Sequence, residues 1–211
     1  MTDKTAANTR RNFLAASAAL PAMGLGMGAA NAKTKDKDAA CPPVPPPPQI
    51  YGSKNFFLKQ IQGGQPVKLY MWRKQLRDRS QSRRKGAIIF VHGSATSGTP
   101  AFDLRVPNHP DYSMMDWFAK LGYDTWCPDM EGYGQSEKAR DINFDIGNGA
   151  DDLLTISSYV AQATGQKKLM FYGTGSGALR CGVFAQRYPD RVARLALDAM
   201  VWTGAGSAML A

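Results

Sequence analysis

Cysteine and histidine are scarce in this chain of 211 residues. The three cysteines, Cys41, Cys127 and Cys181, are odd in number and widely spaced. They therefore form neither a recognisable disulfide framework nor a C-x-x-C metal-binding pattern. The two histidines are His92 and His109. With so few ligating side chains, the sequence predicts no metal site and no cofactor.

Acidic residues are fewer than basic ones, since 17 Asp and Glu stand against 26 Lys and Arg, for a formal net charge of +9. Residues 73–85, "RKQLRDRSQSRRK", hold seven cations and one anion. A nucleic-acid site would interleave stacking aromatic residues with the cations and add a second basic cluster, and the sequence shows neither. The segment is therefore predicted to be a solvated loop between two strands, and no nucleic-acid partner is expected.

No apolar run has the length and continuity of a membrane span. At the N-terminus, Arg10-Arg11 precede an uncharged run of small and apolar residues that closes on Ala30-Asn31-Ala32. This layout is typical of a twin-arginine export signal, so residues 1–32 are predicted to be a signal peptide. Residues 33–50, charged and then proline-rich, are predicted to be an extended linker. The remainder, residues 51–211, is expected to be periplasmic or secreted, without stable membrane insertion.

Short apolar runs alternate with amphipathic segments from Tyr51 onward, and the sequence shows no internal repeat. This alternation is typical of strand, helix, strand units in a parallel sheet. The predicted fold class is therefore α/β, with a doubly wound, mostly parallel sheet. The predicted strands are 56–61, 67–72, 87–93, 123–129, 168–173 and 192–200, and the predicted helices are 113–122, 149–165 and 176–188.

Three turns that follow predicted strands contain the residues best suited to chemistry. His92, Gly93 and Ser94 follow the third strand. A glycine there lets the backbone turn sharply and present N–H groups to an anion, while the His92 side chain is predicted to be structural. Residues 129–136, "DMEGYGQS", form a loop with two glycines after the fourth strand. Residues 173–177, "GTGSG", join the fifth strand to a helix.

In this order the three turns resemble those of the α/β-hydrolase fold family, over about residues 55–205. That family has an HG loop after strand three, a D-x-x-G-x-G-x-S loop after strand four and a G-x-S-x-G nucleophile elbow after strand five. The resemblance implies an exported serine esterase or similar hydrolase of a small-molecule, ester-like substrate. It also implies that the backbone N–H groups of Ser94 and Ser176 form the oxyanion hole. Aromatic candidates for lining a pocket are Phe102, Trp117 and Tyr133.

Two departures from the family pattern predict weak or absent hydrolysis. Gly175 occupies the position where the family has its nucleophilic serine. The family's catalytic histidine follows the elbow, whereas both histidines here precede it. The sequence also ends soon after the sixth predicted strand, so residues 51–211 are expected to be the N-terminal part of a hydrolase domain, an incomplete α/β-hydrolase fold.

Three alternatives to an impaired elbow stay open. Ser176 is an alternative nucleophile if the motif is shifted by one residue, although Thr174 would then occupy a position that needs a very small group. A second alternative is a noncatalytic binding protein on the hydrolase scaffold.

The third alternative is dinucleotide binding. Gly173, Gly175 and Ala178 match the fingerprint G-x-G-x-x-G/A between a strand and a helix. Asp198, 20 residues beyond Ala178, would then bind ribose hydroxyls. The fingerprint normally follows the first strand of its domain, whereas here it follows the fifth.

Overall fold

The computed structural model describes residues 49–77 and 85–201. The predicted signal peptide, nearly all of the predicted linker and Cys41 lie outside these ranges. Within them, no helix combines the length and the apolar composition needed to cross a membrane.

The described residues form a sheet of six strands with four α-helices and two short 3-10 helices. The strands are β1 (Ile50–Lys59), β2 (Val67–Leu76), β3 (Ala87–Val91), β4 (Asp124–Asp129), β5 (Leu169–Thr174) and β6 (Val192–Asp198). The helices are α1 (Gly98–Phe102), α2 (Met114–Lys120), α3 (Ile146–Thr164) and α4 (Ser176–Arg187). The 3-10 helices are Pro110–Tyr112 and Pro189–Arg191.

The strand order in the sheet is β1-β2-β4-β3-β5-β6. The four strands from β4 to β6 run parallel, and β1 and β2 form an antiparallel hairpin that joins the sheet through β4. The predicted α/β class and mostly parallel sheet are confirmed. Among the described strands β6 is at one edge, where Leu195 and Leu197 remain partly exposed.

Helices pack on both faces of the sheet, as doubly wound folds require. On one face, α3 and α4 bury Leu153, Ile156 and Phe184 against Ile89 and Phe171. On the other face, α1 and α2 pack Phe102 and Met115 against Ile88, Phe90 and Cys127. Strand β3 lies between the two layers, and all five of its residues are buried. This burial on both faces explains why its sequence is a continuous apolar run.

Helix α3 shows how local signals set the ends of an element. The Asp145 carboxylate accepts a hydrogen bond from the N–H of Asn148, which caps the first turn. Gly165 ends the helix with φ +74°, a left-handed conformation that glycine adopts without steric cost. The helix therefore begins three residues before the predicted segment 149–165.

The basic segment differs from its prediction as a loop, because strand β2 continues through residues 73–76. Arg73 donates two hydrogen bonds to the Asp124 carboxylate, and Lys74 is buried between Asp103 and Asp116. Pairing with carboxylates from other elements makes burial of these cations tolerable. The loop prediction is therefore wrong for these positions, and residues 78–84 lie outside the described ranges.

Candidate active site at the carboxyl ends of strands β3 and β5

The connections that leave β3 and β5 locate a crevice. After β3 the chain passes through α1 and α2 to β4 on one side, and after β5 it passes through α4 to β6 on the other side. Neighbouring parallel strands whose connections diverge leave a crevice at their carboxyl ends, and ligands of α/β proteins bind there. The turns at residues 92–94 and 173–177 both lie at this point.

The sides of the 173–177 turn admit only glycine. A Cβ atom added to Gly173 would lie 2.5 Å from the carbonyl oxygen of Gly177, and one added to Gly177 would lie 2.6 Å from the carbonyl oxygen of His92. The obstructing atoms belong to the backbone, so they cannot rotate away as a side chain could. These two close approaches set the register of the motif and place Gly175 at its tip.

Gly175 has the conformation of a strained elbow and space for a side chain. Its φ and ψ are +56° and −123°, and a Cβ atom added there would meet no heavy atom of the described residues within 4 Å. Its N–H donates to the carbonyl of Asp198 at 3.0 Å, and its carbonyl accepts from the N–H of Ala178 at 3.0 Å. Backbone contacts therefore hold the tip in place, and a side chain there would be limited by backbone strain and not by space.

The structure brings Ser94 and Ser176 together. A Cβ atom on Gly93 would lie 3.2 Å from the carbonyl oxygen of Thr174, so the turn after β3 packs directly on the elbow. The hydroxyls of Ser94 and Ser176 are 2.7 Å apart. Ser176 is the first residue of α4. Its hydroxyl is hydrogen-bonded to a second hydroxyl, which is too weak a base to activate a serine nucleophile.

His92 is buried and uses both ring nitrogens in hydrogen bonds. Its Nδ1–H donates to the carbonyl of Gly93 at 2.7 Å, and its Nε2 accepts from the N–H of Met130 at 3.1 Å. This pattern requires the neutral imidazole. Burial lowers the pKa of His92 below its usual value, which favours the same form. The side chain ties the turn after β3 to the loop after β4.

A buried arginine, Arg180, also holds the turn after β3 in place, and the sequence did not indicate this role. The Nη1 of Arg180 donates to the carbonyl of His92 at 3.0 Å, and its guanidinium lies 5.4 Å from the centre of the Tyr133 ring. Within the described ranges, no carboxylate forms an ion pair with it. A Cβ atom on Gly149 would meet its side chain at 2.5 Å, so this glycine in α3 makes room for the arginine.

The sequence profile of the alpha/beta hydrolase fold matches residues 86–209, more than half of the chain. The chain belongs to the α/β-hydrolase fold family. All three turns predicted to carry the chemistry lie inside the matched segment. No curated protein matches the chain significantly.

Solved hydrolase structures resemble this α/β-hydrolase chain at low sequence identity. Epoxide hydrolase VrEH1 from Vigna radiata has a TM-score of 0.51 at 14% identity, covering 68% of this chain and 37% of its own. A mutant Vigna radiata epoxide hydrolase has a TM-score of 0.50 at 17% identity, covering 68% and 38%. A CIB-like hydrolase from Thermoplasma acidophilum has a TM-score of 0.49 at 19% identity, covering 72% and 65%. This chain thus spans less than two fifths of the length of these two Vigna radiata epoxide hydrolases.

The loop at residues 129–136 of this α/β-hydrolase fold is built around the buried carboxylate of Asp129. One carboxylate oxygen accepts from the N–H of Gly98 and the other from the N–H of Gln135, both at 2.8 Å. The Ser136 hydroxyl donates to the Asp129 carbonyl at 2.6 Å and accepts from the N–H of Tyr70 at 2.9 Å. The carboxylate and the hydroxyl serve to hold the loop, which leaves neither free for a substrate.

A second group beside the elbow was not recognised as a unit in the sequence. The Tyr172 hydroxyl donates to the Asp198 carboxylate at 2.9 Å, and the Thr174 hydroxyl lies 3.3 Å from the same oxygen. Burial, with the hydrogen bond to Asp198, raises the pKa of Tyr172 to about 12. Strand pairing could have indicated this contact, because Thr174 and Asp198 are direct neighbours on β5 and β6.

The three aromatic pocket candidates have different positions in the structure. Phe102 is buried in the core against Phe90 and Tyr172. Trp117 lies on α2 with 58% of its surface exposed. Tyr133 is partly buried, and its ring contacts the His92 ring at a centroid distance of 4.9 Å. Tyr133 thus links the 129–136 loop to the turn after β3. Within the described ranges, no cluster of three or more potential metal ligands is present.

Proposed function

We propose that the crevice between β3 and β5 binds a small-molecule, ester-like substrate, and that this chain hydrolyses it weakly or not at all. One observation carries the proposal. The elbow keeps its backbone shape and its two obligatory side glycines, but its tip is Gly175, and no described residue occupies the space where a nucleophile would stand. The scaffold of a hydrolase site is retained and its reacting group is absent.

Oxyanion binding is the chemistry that the crevice supports best. Backbone N–H groups beside an elbow stabilise the negative charge that develops on a carbonyl oxygen, and each such donor contributes about 10²-fold to 10³-fold in rate. We assign this role to the N–H groups of Ser94 and Ser176. Support comes from the contact between their side chains at 2.7 Å, which shows that the two turns approach closely.

The missing groups account for the impairment. Loss of the nucleophile or the base from a serine hydrolase lowers turnover about 10⁶-fold, roughly 8 kcal/mol of barrier. The buried His92 already uses both ring nitrogens, so it is not available as the base. A noncatalytic binding protein is therefore the second candidate function, and the engaged imidazole is the observation that favours it.

Dinucleotide binding through Gly173, Gly175, Ala178 and Asp198 is the third candidate. The Asp198 carboxylate already accepts hydrogen bonds from two neighbouring hydroxyls, which would compete with a ribose. A tryptophan fluorescence titration with NAD tests it. Quenching that saturates by about 1 mM NAD supports it, and a flat titration rejects it.

We also propose that the protein is exported by the twin-arginine route to the periplasm or beyond.

A cysteine at the tip of the elbow tests the proposed function directly. Thiolates are nucleophilic without a general base, and a thiol at a helix N-terminus has a lowered pKa. We expect Gly175→Cys, made in a Cys41→Ser background, to be acylated by p-nitrophenyl acetate, forming a thioester and releasing one equivalent of p-nitrophenolate. The native thiols of Cys127 and Cys181 are buried.

Gly182→Cys is the matched control for this experiment. A Cβ atom at Gly182 also meets no heavy atom within 4 Å among residues 49–77 and 85–201, but the residue lies in the middle of α4, away from the elbow. We expect acylation of Gly175→Cys to be at least ~10-fold faster, after correction for the thiolate fraction of each variant. Equal corrected rates would show that the elbow lacks an oxyanion site.

A further inference from the structure

A second recess lies at the opposite edge of the sheet from the elbow. It is a cleft of about 410 Å³ at the amino ends of β3, β5 and β6, called here the amino-edge cleft. Its principal lining residues are Lys85, Tyr123, Gln166, Lys168, Met170 and Arg194. The three cations among them come from three separate segments of the chain. The sequence therefore gave no sign that they form one cluster.

The polar groups that line the amino-edge cleft are mainly hydrogen-bond donors. No carboxylate is among the described residues that line it, and Lys85, Lys168 and Arg194 have no ion pair within the described ranges. The side-chain oxygen of Gln166 accepts from the N–H of Ala87 at 3.0 Å, which leaves its NH₂ group as the free end. Such a set of donors is suited to an anion.

The backbone and an aromatic ring fix the position of Lys85. Its N–H donates to the carbonyl of Gly122 at 3.0 Å, so the backbone of Lys85 is bound to the turn that follows α2. Its Nζ lies 5.8 Å from the centre of the Tyr123 ring, which lines the same cleft. This contact holds the ammonium group at the cleft.

A β-bulge brings Arg194 to the same face as the other groups. In the pairing of β5 with β6, Leu169 is opposite Val192 and Met170 is opposite Arg194, so Ala193 is an extra residue on β6. Without the bulge, Arg194 would be opposite Phe171 and would point to the face covered by α4, because side chains alternate along a strand. The bulge therefore directs this arginine to the Met170 face.

We propose that the amino-edge cleft is a binding site for a phosphate-bearing anion. Lys85, Lys168 and Arg194 are all exposed, and a multivalent anion that contacts all three would accept charge-assisted hydrogen bonds from each. The guanidinium group of Arg194 can donate two parallel hydrogen bonds to phosphate oxygens. Free phosphates and lipid head groups share this chemistry. The site does not depend on the function proposed for the elbow.

Titration with inorganic pyrophosphate at constant ionic strength tests the site. The full chain is prepared with isotope-labelled methionine methyl groups, and the Met170 signal is identified by its loss in Met170→Leu. We expect this signal to shift and saturate as pyrophosphate reaches about 1 mM. Lys168→Gln and Arg194→Gln should each weaken binding roughly tenfold. Lys167→Gln is the matched control, because it removes the same charge from the preceding residue in the chain, which does not line the cleft. It should change binding less than about twofold.

Two outcomes would overturn the proposal. The first is a Lys167→Gln effect as large as that of Lys168→Gln, which would mark diffuse attraction by net charge. The second is the absence of any Met170 shift with pyrophosphate, together with vesicles of phosphatidylglycerol that bind Lys168→Gln as well as the unchanged protein. Binding to vesicles that is lost in Lys168→Gln but not in Lys167→Gln supports the site and identifies a lipid head group as the source of the phosphate.

Discussion

The elbow at residues 173–177 and the loop at residues 129–136 are both glycine-rich and both follow a strand of the same sheet. In the loop, the carboxylate of Asp129 and the hydroxyl of Ser136 are buried and hydrogen-bonded to backbone groups. At the elbow, the sides are closed by backbone atoms, whereas no residue in the described part of the chain covers the tip. On the proposed function, the difference separates a loop that serves the fold from one with room for a reacting side chain.

Sequence composition alone does not reveal this difference, since each turn combines glycines with residues that carry a hydroxyl group. The two turns differ in how many of their side-chain polar groups already form hydrogen bonds inside the protein. Where polar groups are satisfied internally, a substitution should affect stability. Where a position is open, a substitution should affect chemistry and leave stability nearly unchanged.

Gly177→Ala should produce the largest change, on the closed side of the elbow. The added methyl group would meet backbone carbonyls of the β3 turn, so we expect a loss of at least ~3 kcal/mol in the free energy of unfolding. Urea unfolding followed by circular dichroism measures it. Gly182→Ala, at an open position of the same helix, should instead be neutral or stabilise by up to ~1 kcal/mol. Similar losses in both variants would contradict the assigned register.

Asp129→Asn should lower the free energy of unfolding by about 2 kcal/mol. The NH₂ group of asparagine would face one of the two backbone N–H groups from which the carboxylate now accepts hydrogen bonds. The same urea unfolding measures the loss. Asp151→Asn is the control, since Asp151 is an exposed carboxylate that pairs with Arg187 at the surface. If Asp129→Asn is no more destabilising than this control, the loop is not organised around the carboxylate.

Gly175→Ser should destabilise by only about 1 kcal/mol, the cost of a left-handed φ for a residue with a side chain. The space around the tip adds no clash. Thermal and urea unfolding, beside the Gly177→Ala variant, measure the contrast within a single pentapeptide. A loss above about 3 kcal/mol would mean that the tip is packed, and the open elbow would have to be abandoned.

The smallest expected change is the contribution of His92 to the pH dependence of the free energy of unfolding. Its pKa is lowered in the folded protein, so the unfolded chain takes up a proton first as the pH falls. Stability should be at its full value above about pH 6.5, decline as the pH falls through that value and level off below the folded pKa, with a slope of at most ~1.4 kcal/mol per pH unit. His92→Gln should lack this part of the pH dependence. Parallel stability curves for the two proteins would refute the assignment.

Spacing along the chain predicted the six strands and three of the four α-helices in their observed order, but not α1, and the register of the elbow was predicted from the family's G-x-S-x-G pattern. Apolar runs mark strands, and two glycines four residues apart mark the tight turn that Gly173 and Gly177 form. The resemblance to the α/β-hydrolase family implied that the N–H groups of Ser94 and Ser176 share one oxyanion hole, which places the two residues side by side.

Contacts between distant segments were beyond sequence reasoning. Arg180 meets the carbonyl of His92, 88 residues away in the chain, and nothing near it in sequence indicates this partner. The basic segment was interpreted as solvent-exposed because its carboxylate partners, Asp103, Asp116 and Asp124, lie in later elements. Nothing in the sequence around Ala193 indicates the β-bulge there. Such pairings depend on how the helices and strands pack.

The most direct test of the contrast between the two loops is the alkylation rate of a cysteine placed in each. Gly175→Cys and Ser136→Cys, both in the Cys41→Ser background, are treated with iodoacetamide after circular dichroism confirms that each is folded. The thiol at the elbow should react at least as fast as a free thiol. The thiol at position 136, where the serine is 3% exposed, should react at least ~100-fold more slowly. Equal rates, or a protected thiol at position 175, would contradict the open elbow.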